Sequence, residues 1–146
     1  MATLSFDATK IRPLLGSVTS LAVMGEASKV GRVVYVGTDD KMYQAAADNN
    51  VLGSGLLGVI VAYSSGKVDP TGVIAANDEV TVLWYGPFVA GGLTLDSTKQ
   101  YFLANITSTV KGLIGDAAGA VSRRLGKPRQ TDVFFFNPQD VATTSP

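Results

Sequence analysis

Apolar and polar residues alternate over short stretches along most of the chain, and clusters of glycine and polar residues separate these stretches. Residues 79–85 give the clearest example, because Val80, Val82 and Trp84 alternate with residues that would point to the opposite side of an extended chain. A period of two residues is typical of β-strands, whose successive side chains lie on opposite faces of a sheet. The pattern therefore predicts a strand here.

Other stretches repeat this signal at intervals of roughly 8 to 12 residues. Residues 32–36 are rich in β-branched and aromatic side chains, and residues 37–40 favour a turn. Residues 41–45 are expected to form a second strand that runs back beside the first, so that the whole segment is a β-hairpin. Further strands are expected over residues 56–63, 100–103, 121–125 and 132–136. Helix is expected to be nearly absent. The pattern predicts an all-β fold, either a small antiparallel β-sandwich or a β-barrel.

Two prolines modify this picture. Gly86 and Pro87 are expected to bend the chain after the strong strand of residues 79–85. Pro128 is expected to lie at a bend or at a sheet edge, because proline donates no backbone hydrogen bond to a neighbouring strand.

The first 24 residues differ from the rest. Apolar residues are frequent there, but Pro13 and Gly16 interrupt any helix. Two structures fit this pattern: an extended arm that lies on another surface, or a first strand behind a frayed terminus. We divide the chain into an N-terminal arm (residues 1–24), a β domain (residues 25–138) and a flexible, polar C-terminal tail (residues 139–146).

Composition restricts the possible partners. The chain has 146 residues, of which 46% are hydrophobic and only 16% are charged, against about 25% charged in typical globular domains. This balance suggests that a partner covers some apolar surface. The 12 basic and 12 acidic residues cancel, so we expect neither nucleic acid nor a membrane surface as partner. No signal peptide is recognisable, and no apolar run approaches the ~20 residues that span a bilayer.

The sequence offers little chemistry. It contains no cysteine and no histidine, so the commonest metal ligand and the commonest general base are both missing. We expect no catalytic residue, metal or cofactor, and therefore no enzyme. A hydrolase in which Glu26, Asp78 and Glu79 converge is an alternative, because catalytic carboxylates need no fixed sequence spacing. Residues 53–58 match a dinucleotide-binding loop, but an apolar strand follows them where that loop requires a helix.

The aromatic residues point instead to protein contacts. In a strand, Phe134, Phe135 and Phe136 place phenylalanine on both faces, so we expect a second subunit or another segment to cover at least one of them. Trp84 and Tyr85 present the same pattern. Strands with apolar side chains on both faces favour oligomerisation of a small β domain. The expected interface residues are Phe6, Ile11, Leu14, Leu15, Trp84 and Phe135.

A family resemblance rests on the order of strands and glycines between about residues 29 and 138. Its elements are residues 31–36, 40–41, 45–48, 57–60, 80–82, 86–89, 93–95, 100–103, 121–126 and 132–138, the last of which contain Asn137 and Pro138. In this succession the chain resembles the capsid decoration, or cement, proteins of tailed bacteriophages.

The resemblance implies a virion structural protein, made in the host cytoplasm and located on the exterior of the capsid. It implies a homotrimer at three-fold positions that binds the major capsid protein and stabilises the shell by clamping neighbouring subunits. Related β modules occur in phage head fibres and tail fibres. The alternative function is therefore a receptor-binding or carbohydrate-binding module that acts through Trp84 or the tyrosines.

Overall fold

The computed structural model describes residues 4–45, 56–63, 73–104, 111–116, 121–138 and 143–144. Apart from one 3-10 helix, Ala8–Lys10, all regular elements in these residues are strands. They are β1 (Ile11–Pro13), β2 (Val18–Val23), β3 (Ser28–Lys29), β4 (Val33–Val36), β5 (Met42–Gln44), β6 (Leu57–Tyr63), β7 (Val73–Ile74), β8 (Glu79–Ala90), β9 (Tyr101–Leu103), β10 (Ile114–Gly115), β11 (Val121–Ser122), β12 (Arg124–Gln130), β13 (Val133–Phe136) and β14 (Thr143–Thr144). The expected all-β fold is confirmed.

The main sheet is antiparallel and curls into a half-barrel with β8 at its centre. Its strand order is β10-β9-β12-β13-β8-β6-β4-β5, and β1 and β2 also pair with β8. Along the first half of β8 the neighbours are β2 and β6, whereas along the second half they are β1 and β13. β8 therefore joins two groups of strands into one sheet.

The expected bend at Gly86 and Pro87 does not interrupt this strand. β8 continues from Glu79 to Ala90, and Gly86 pairs with Phe136 of β13. Gly86 has φ of +111°, a backbone conformation that residues with a Cβ rarely adopt. The glycine thus changes the local direction of β8 while the strand keeps its pairing.

The N-terminal segment belongs to the sheet. β1 and β2 run antiparallel beside β8, with Ile11 opposite Ala90 and Val23 opposite Glu79. In the described part of this segment, Ile11–Pro13 and Val18–Val23 are therefore strands of the main sheet. The physical reason is that β8 offers a long edge that the extended N-terminal segment satisfies with backbone hydrogen bonds.

The predicted hairpin is present. β4 pairs with β5 through Val36 opposite Met42, and the turn between them is closed by the Gly37 N–H donating to Lys41 O at 2.8 Å. Pro128 lies inside β12 beside a register shift, at a point where only β13 pairs with the strand. This position agrees with the expected sheet edge.

The two ends of the main sheet are covered by other segments of the chain. At β5, the Gly25 N–H donates to Met42 O at 2.8 Å. At β10, the Leu4 N–H donates to Ile114 O at 2.7 Å. The segments that flank β1 and β2 therefore also close the curled sheet at its ends.

A single hydrophobic core fills the curled sheet. Phe88 and Phe134 are fully buried with ring centroids 5.6 Å apart, and Tyr101 packs edge-on against Phe134 at 5.7 Å. Each large apolar side chain buried in this way contributes about 1.5–3 kcal/mol relative to exposure. Phe6 extends the cluster from the N-terminal segment, with its ring centroid 6.2 Å from that of Phe88.

Several expectations lie wholly or partly outside the described residues. They concern residues 45–48 of the family resemblance, the glycines of residues 53–55 in the dinucleotide-loop match, and most of the tail. Within the expected flexible tail, Thr143–Thr144 forms β14 and pairs with β11. This part of the tail is therefore joined to the β domain.

Candidate interaction surface

The structure divides the six expected interface residues between core and surface. Ile11 is buried in the hydrophobic core, and Phe6 is half-buried against Phe88 and over Gly31. Leu14 is half-buried in the turn between β1 and β2, whereas Leu15 beside it is completely exposed. Trp84 and Phe135 are both half-buried and lie on different strands. These six side chains therefore do not form one continuous surface.

Phe135 is the expected residue with the clearest surface position. Phe134 and Phe136 are fully buried, so the alternation along β13 places Phe135 on the opposite face of the sheet. There it meets Tyr85 of β8 edge-on, with ring centroids 5.3 Å apart. Tyr85 is 45% exposed. The two aromatic side chains form a patch that the protein's own core does not use.

The register extends this patch across four strands. Val18 of β2 lies opposite Tyr85, and Lys127 of β12 lies opposite Phe135. Directly opposite residues share a face of a sheet. Phe135 lies opposite Pro87, and its ring contact with Tyr85 joins the two opposite pairs. We call the four side chains the aromatic strip (Val18, Tyr85, Phe135 and Lys127). Val18 is 55% exposed. The strip is thus aliphatic at one end, aromatic in the middle and cationic at the other end.

A cleft adjoins the cationic end of the aromatic strip. Its volume is about 190 Å³. It is lined by Arg124, Gly126, Lys127, Phe135 and Asn137. Cationic and amide groups beside an aromatic ring suit a carboxylate that is carried next to an apolar side chain. The cleft can therefore accept an acidic group of a partner that lies on the strip.

Trp84 has a structural role beside this surface. Its indole N–H donates to the Ser20 Oγ at 2.7 Å, which joins the side chains of β8 and β2. Its ring also lies over Gly58 of β6, where a Cβ would come within 2.9 Å of a ring carbon. Trp84 therefore fixes the relative position of three adjacent strands.

The sequence reasoning missed the exposed apolar residues of β2. Leu21 is 61% exposed and Val23 is 37% exposed. The signal was present, because residues 18–23 contain no charge and no proline, which is unusual for a strand that reaches the surface. Pro13 and Gly16 dominate the sequence pattern of this segment, and they point to Leu14 and Leu15 instead.

The three carboxylates of the hydrolase alternative differ in their hydrogen bonds and exposure. Glu26 accepts a hydrogen bond from the Gln44 N–H at 3.0 Å, and Asp78 accepts one from the Ala75 N–H at 3.3 Å. Glu79 is exposed and lies opposite Val23 at the start of β8. Two of these carboxylates thus bond to backbone N–H groups near the sheet margins.

The perturbed acids likewise lie in turns. Asp39 accepts a hydrogen bond from the Tyr43 hydroxyl at 2.6 Å and another from the Lys41 N–H, and these bonds lower the pKa of its carboxyl. Asp96 accepts hydrogen bonds from the Thr98 hydroxyl and N–H, which lower its pKa in the same way. Both shifts follow from local turn geometry.

In the part of the chain that the structure describes, no group of three or more acidic side chains could hold a metal ion. Among the same residues, no helix has the length and apolar composition to cross a membrane. No protein-family model matches the chain, and no curated protein matches its sequence. The aromatic strip and the neighbouring β2 are the best-defined candidate site on the described surface.

Proposed function

We propose that the protein is a non-enzymatic structural protein that binds the outside of a tailed-phage capsid. It stabilises the shell by clamping neighbouring subunits of the major capsid protein, and it acts as a homotrimer at three-fold positions. The observation that carries this proposal is the aromatic strip, where Tyr85 and Phe135 form an apolar patch that the protein's own fold leaves uncovered.

The chemistry of the strip supports a protein partner. Tyrosine and phenylalanine supply large contact areas with few rotatable bonds, and aromatic residues are enriched at the centres of protein interfaces. Lys127 and the adjoining cleft add a positive end, which fixes the orientation of a partner that carries a carboxylate. We expect the bound capsid surface to present an apolar area with an acidic group at one side.

The composition supports attachment of many copies to one shell. A net charge of zero avoids repulsion between crowded copies. Binding of one trimer at several points makes each further attachment intramolecular, so the clamp gains strength without additional contacts per subunit. A subunit joint can then open only when these attachments dissociate.

The test is binding of the purified protein to expanded capsids that lack it. We expect the wild-type protein to sediment with the capsids and to raise the temperature at which they open. Tyr85→Ser and Phe135→Ser should each weaken binding about tenfold or more, the scale of an interface residue worth at least 1.4 kcal/mol.

The matched control is Val73→Ser. Val73 is an exposed apolar residue of similar accessibility, at 44%, but it lies in the separate β3–β7 pair. This variant should bind like the wild type. A folded wild-type protein that does not bind the capsids would overturn the proposed function, whereas wild-type binding by both strip variants would show that another surface makes the contact.

Tyr85 also favours the second candidate function. An exposed aromatic ring beside a polar cleft can stack against a sugar, as expected for a carbohydrate-binding module of a head or tail fibre. A glycan array separates the two functions. Specific glycan binding that Tyr85→Ser abolishes, together with no capsid binding, would establish the fibre module in place of the clamp.

A further inference from the structure

The outer edge of β2 carries an inference that does not depend on capsid binding. β2 pairs with β8 along one edge, and no described residue pairs with its other edge. Every residue of the strand except the half-buried Ala22 is exposed, and the most exposed apolar side chains are Leu21 at 61% and Val18 at 55%. β2 is therefore an open sheet edge with apolar side chains on it.

The hydrogen bonds of Met24 show which backbone groups point away from β8. Met24 donates to Asp78 O at 3.0 Å and accepts from the Asn77 N–H at 2.7 Å, so both of its backbone groups face the β8 side. In an antiparallel ladder this orientation alternates along the strand. Thr19, Leu21 and Val23 therefore direct their N–H and C=O groups outward from the sheet.

From Thr19 to Val23 this edge lacks the features by which proteins prevent edge-to-edge pairing, and the register shift of β2 lies just before it, between Val18 and Thr19. Proline, inward-pointing charges and bulges are the common protections. Residues 19–23 contain neither proline nor charge, and their register with β8 is regular from Thr19 to Val23. A strand of this kind pairs readily with another uncharged strand.

The end strands of the same sheet, β5 and β10, each already hold a backbone hydrogen bond from another described segment. Gly25 covers the edge at β5 by donating to Met42 O, and Leu4 covers the edge at β10 by donating to Ile114 O. A head-to-tail contact through either edge would have to displace these bonds. A contact of β2 with β2 displaces no backbone bond between described residues, and two-fold symmetry makes it self-complementary.

We propose that β2 pairs antiparallel with β2 of a second copy, with Leu21 opposite Leu21 of that copy. In this register Thr19 lies opposite Val23, so all the outward N–H and C=O groups of these residues become hydrogen-bonded. Leu21 and Val23 of both copies then meet on one face. Since the strand carries no charge, no like charges come together at its centre.

This two-fold contact is distinct from the trimer contact in the proposed function. Copies joined only through β2 form dimers, and two trimers joined through β2 form a hexamer when the two-fold axis crosses the three-fold axis at right angles. Either way, the purified protein should form an assembly with an even number of copies.

A charge exchange at Leu21 tests this arrangement without capsids. Sedimentation equilibrium of the full chain should show an even-numbered assembly, and Leu21→Lys and Leu21→Glu should each halve its mass because like charges then face each other. Mixing the two variants should restore the even-numbered assembly, since opposite charges now meet. Only a contact in which residue 21 faces itself produces this rescue.

The control is Val73→Lys, which adds the same charge at another exposed apolar position and should leave the mass unchanged. A wild-type protein that stays monomeric, or that forms an assembly with an odd number of copies, would overturn the proposal. An even-numbered assembly that survives both Leu21 variants, or halved masses that mixing does not restore, would also overturn it.

Amide hydrogen exchange gives a second measurement that detects the backbone pairing itself. The N–H groups of Thr19, Leu21 and Val23 should be protected in the wild-type assembly and should exchange at least tenfold faster in Leu21→Lys. The N–H groups of Ser20 and Ala22, which face β8, should stay protected in both. Equal exchange of the outward amides in wild type and variant would overturn strand pairing. Because neither experiment contains a capsid, failure here leaves the capsid-binding test unaffected.

Discussion

Gly86 lies where β8 passes the turn between β1 and β2. A Cβ at this position would come within 2.7 Å of the Ser17 Cα and 3.1 Å of the Gly16 O, and φ is +111°. The close approach and the unusual dihedral both require glycine. This one residue lets β8 stay continuous while the strands on its two sides change from β2 and β6 to β1 and β13.

We expect Gly86→Ala to lower the free energy of unfolding substantially. Gly16→Ala is the matched control, because Gly16 also has a positive φ, of +95°, but a Cβ there would meet no atom within 4 Å. Gly16→Ala should cost about 1–2 kcal/mol from the dihedral alone. Gly86→Ala should cost at least about 1 kcal/mol more, since backbone atoms must move. Urea unfolding measures the free energy of unfolding of both variants. Equal decreases would show that the close approach at Gly86 does not affect stability.

Asp39 and Tyr43 give the hairpin a pH dependence. The hydrogen bond from the Tyr43 hydroxyl lowers the pKa of Asp39 below its ordinary 3.8 and raises that of Tyr43 above its ordinary 10.0. A lowered acid pKa means that this stabilisation is present above pH 3.8 and is lost as the pH falls through the folded value. A raised tyrosine pKa means that it is present below pH 10.0 and is lost as the pH rises through the folded value.

Carboxyl NMR titration of Tyr43→Phe tests this coupling. The pKa of Asp39 should rise toward 3.8, because the largest cause of its lowering is removed, while the weaker bond from the Lys41 N–H remains. Asp96 serves as the internal control, since its pKa is lowered mainly by Thr98. An unchanged Asp39 pKa would contradict the assigned cause.

At the scale of elements, β1 and β2 show how a surface segment can also support the core. Ile11 of β1 is buried, whereas Leu15 in the following turn is completely exposed. The two residues are close in sequence and similar in size, but only one of them contacts the core cluster. Ile11 therefore contributes to stability through the core, whereas Leu15 does not.

Alanine substitutions separate these roles. Ile11→Ala should lower the free energy of unfolding by about 2–5 kcal/mol through loss of buried contacts. Leu15→Ala should change it by less than about 0.5 kcal/mol, as for exposed positions in general. The fluorescence of Trp84, the single tryptophan, reports unfolding of both variants because it lies where β2 and β8 are joined. A large loss in Leu15→Ala would contradict this division.

Elements with a strong local pattern were predictable from the sequence. The hairpin of β4 and β5 has its own turn residues, and β13 is rich in strand-forming side chains, so short-range signals define both. The outward position of Phe135 followed from alternation within three phenylalanines. The strands β1 and β2 were harder, because Pro13 and Gly16 are equally compatible with an arm and only the distant partner β8 decides between the two.

At the scale of the whole molecule, the surface depends on a register that no local signal specifies. The aromatic strip combines β2, β8, β13 and β12, which are far apart in the chain. The sequence predicted Phe135 and Ile11 as residues of one interface, but Ile11 lies in the core. Strand order determines which exposed residues become neighbours, and strand order is set by tertiary packing.

The position of β2 beside β8 also has a consequence for synthesis on the ribosome. β2 leaves the ribosome well before its partner, since Val23 pairs with Glu79, more than fifty residues further along. At about 5–20 residues per second, this delay is several seconds. During that time both edges of an uncharged, apolar strand are open, and neighbouring nascent chains on one messenger can meet there. We therefore expect β2 to control the yield of folded protein during rapid expression as well as the assembly of finished copies.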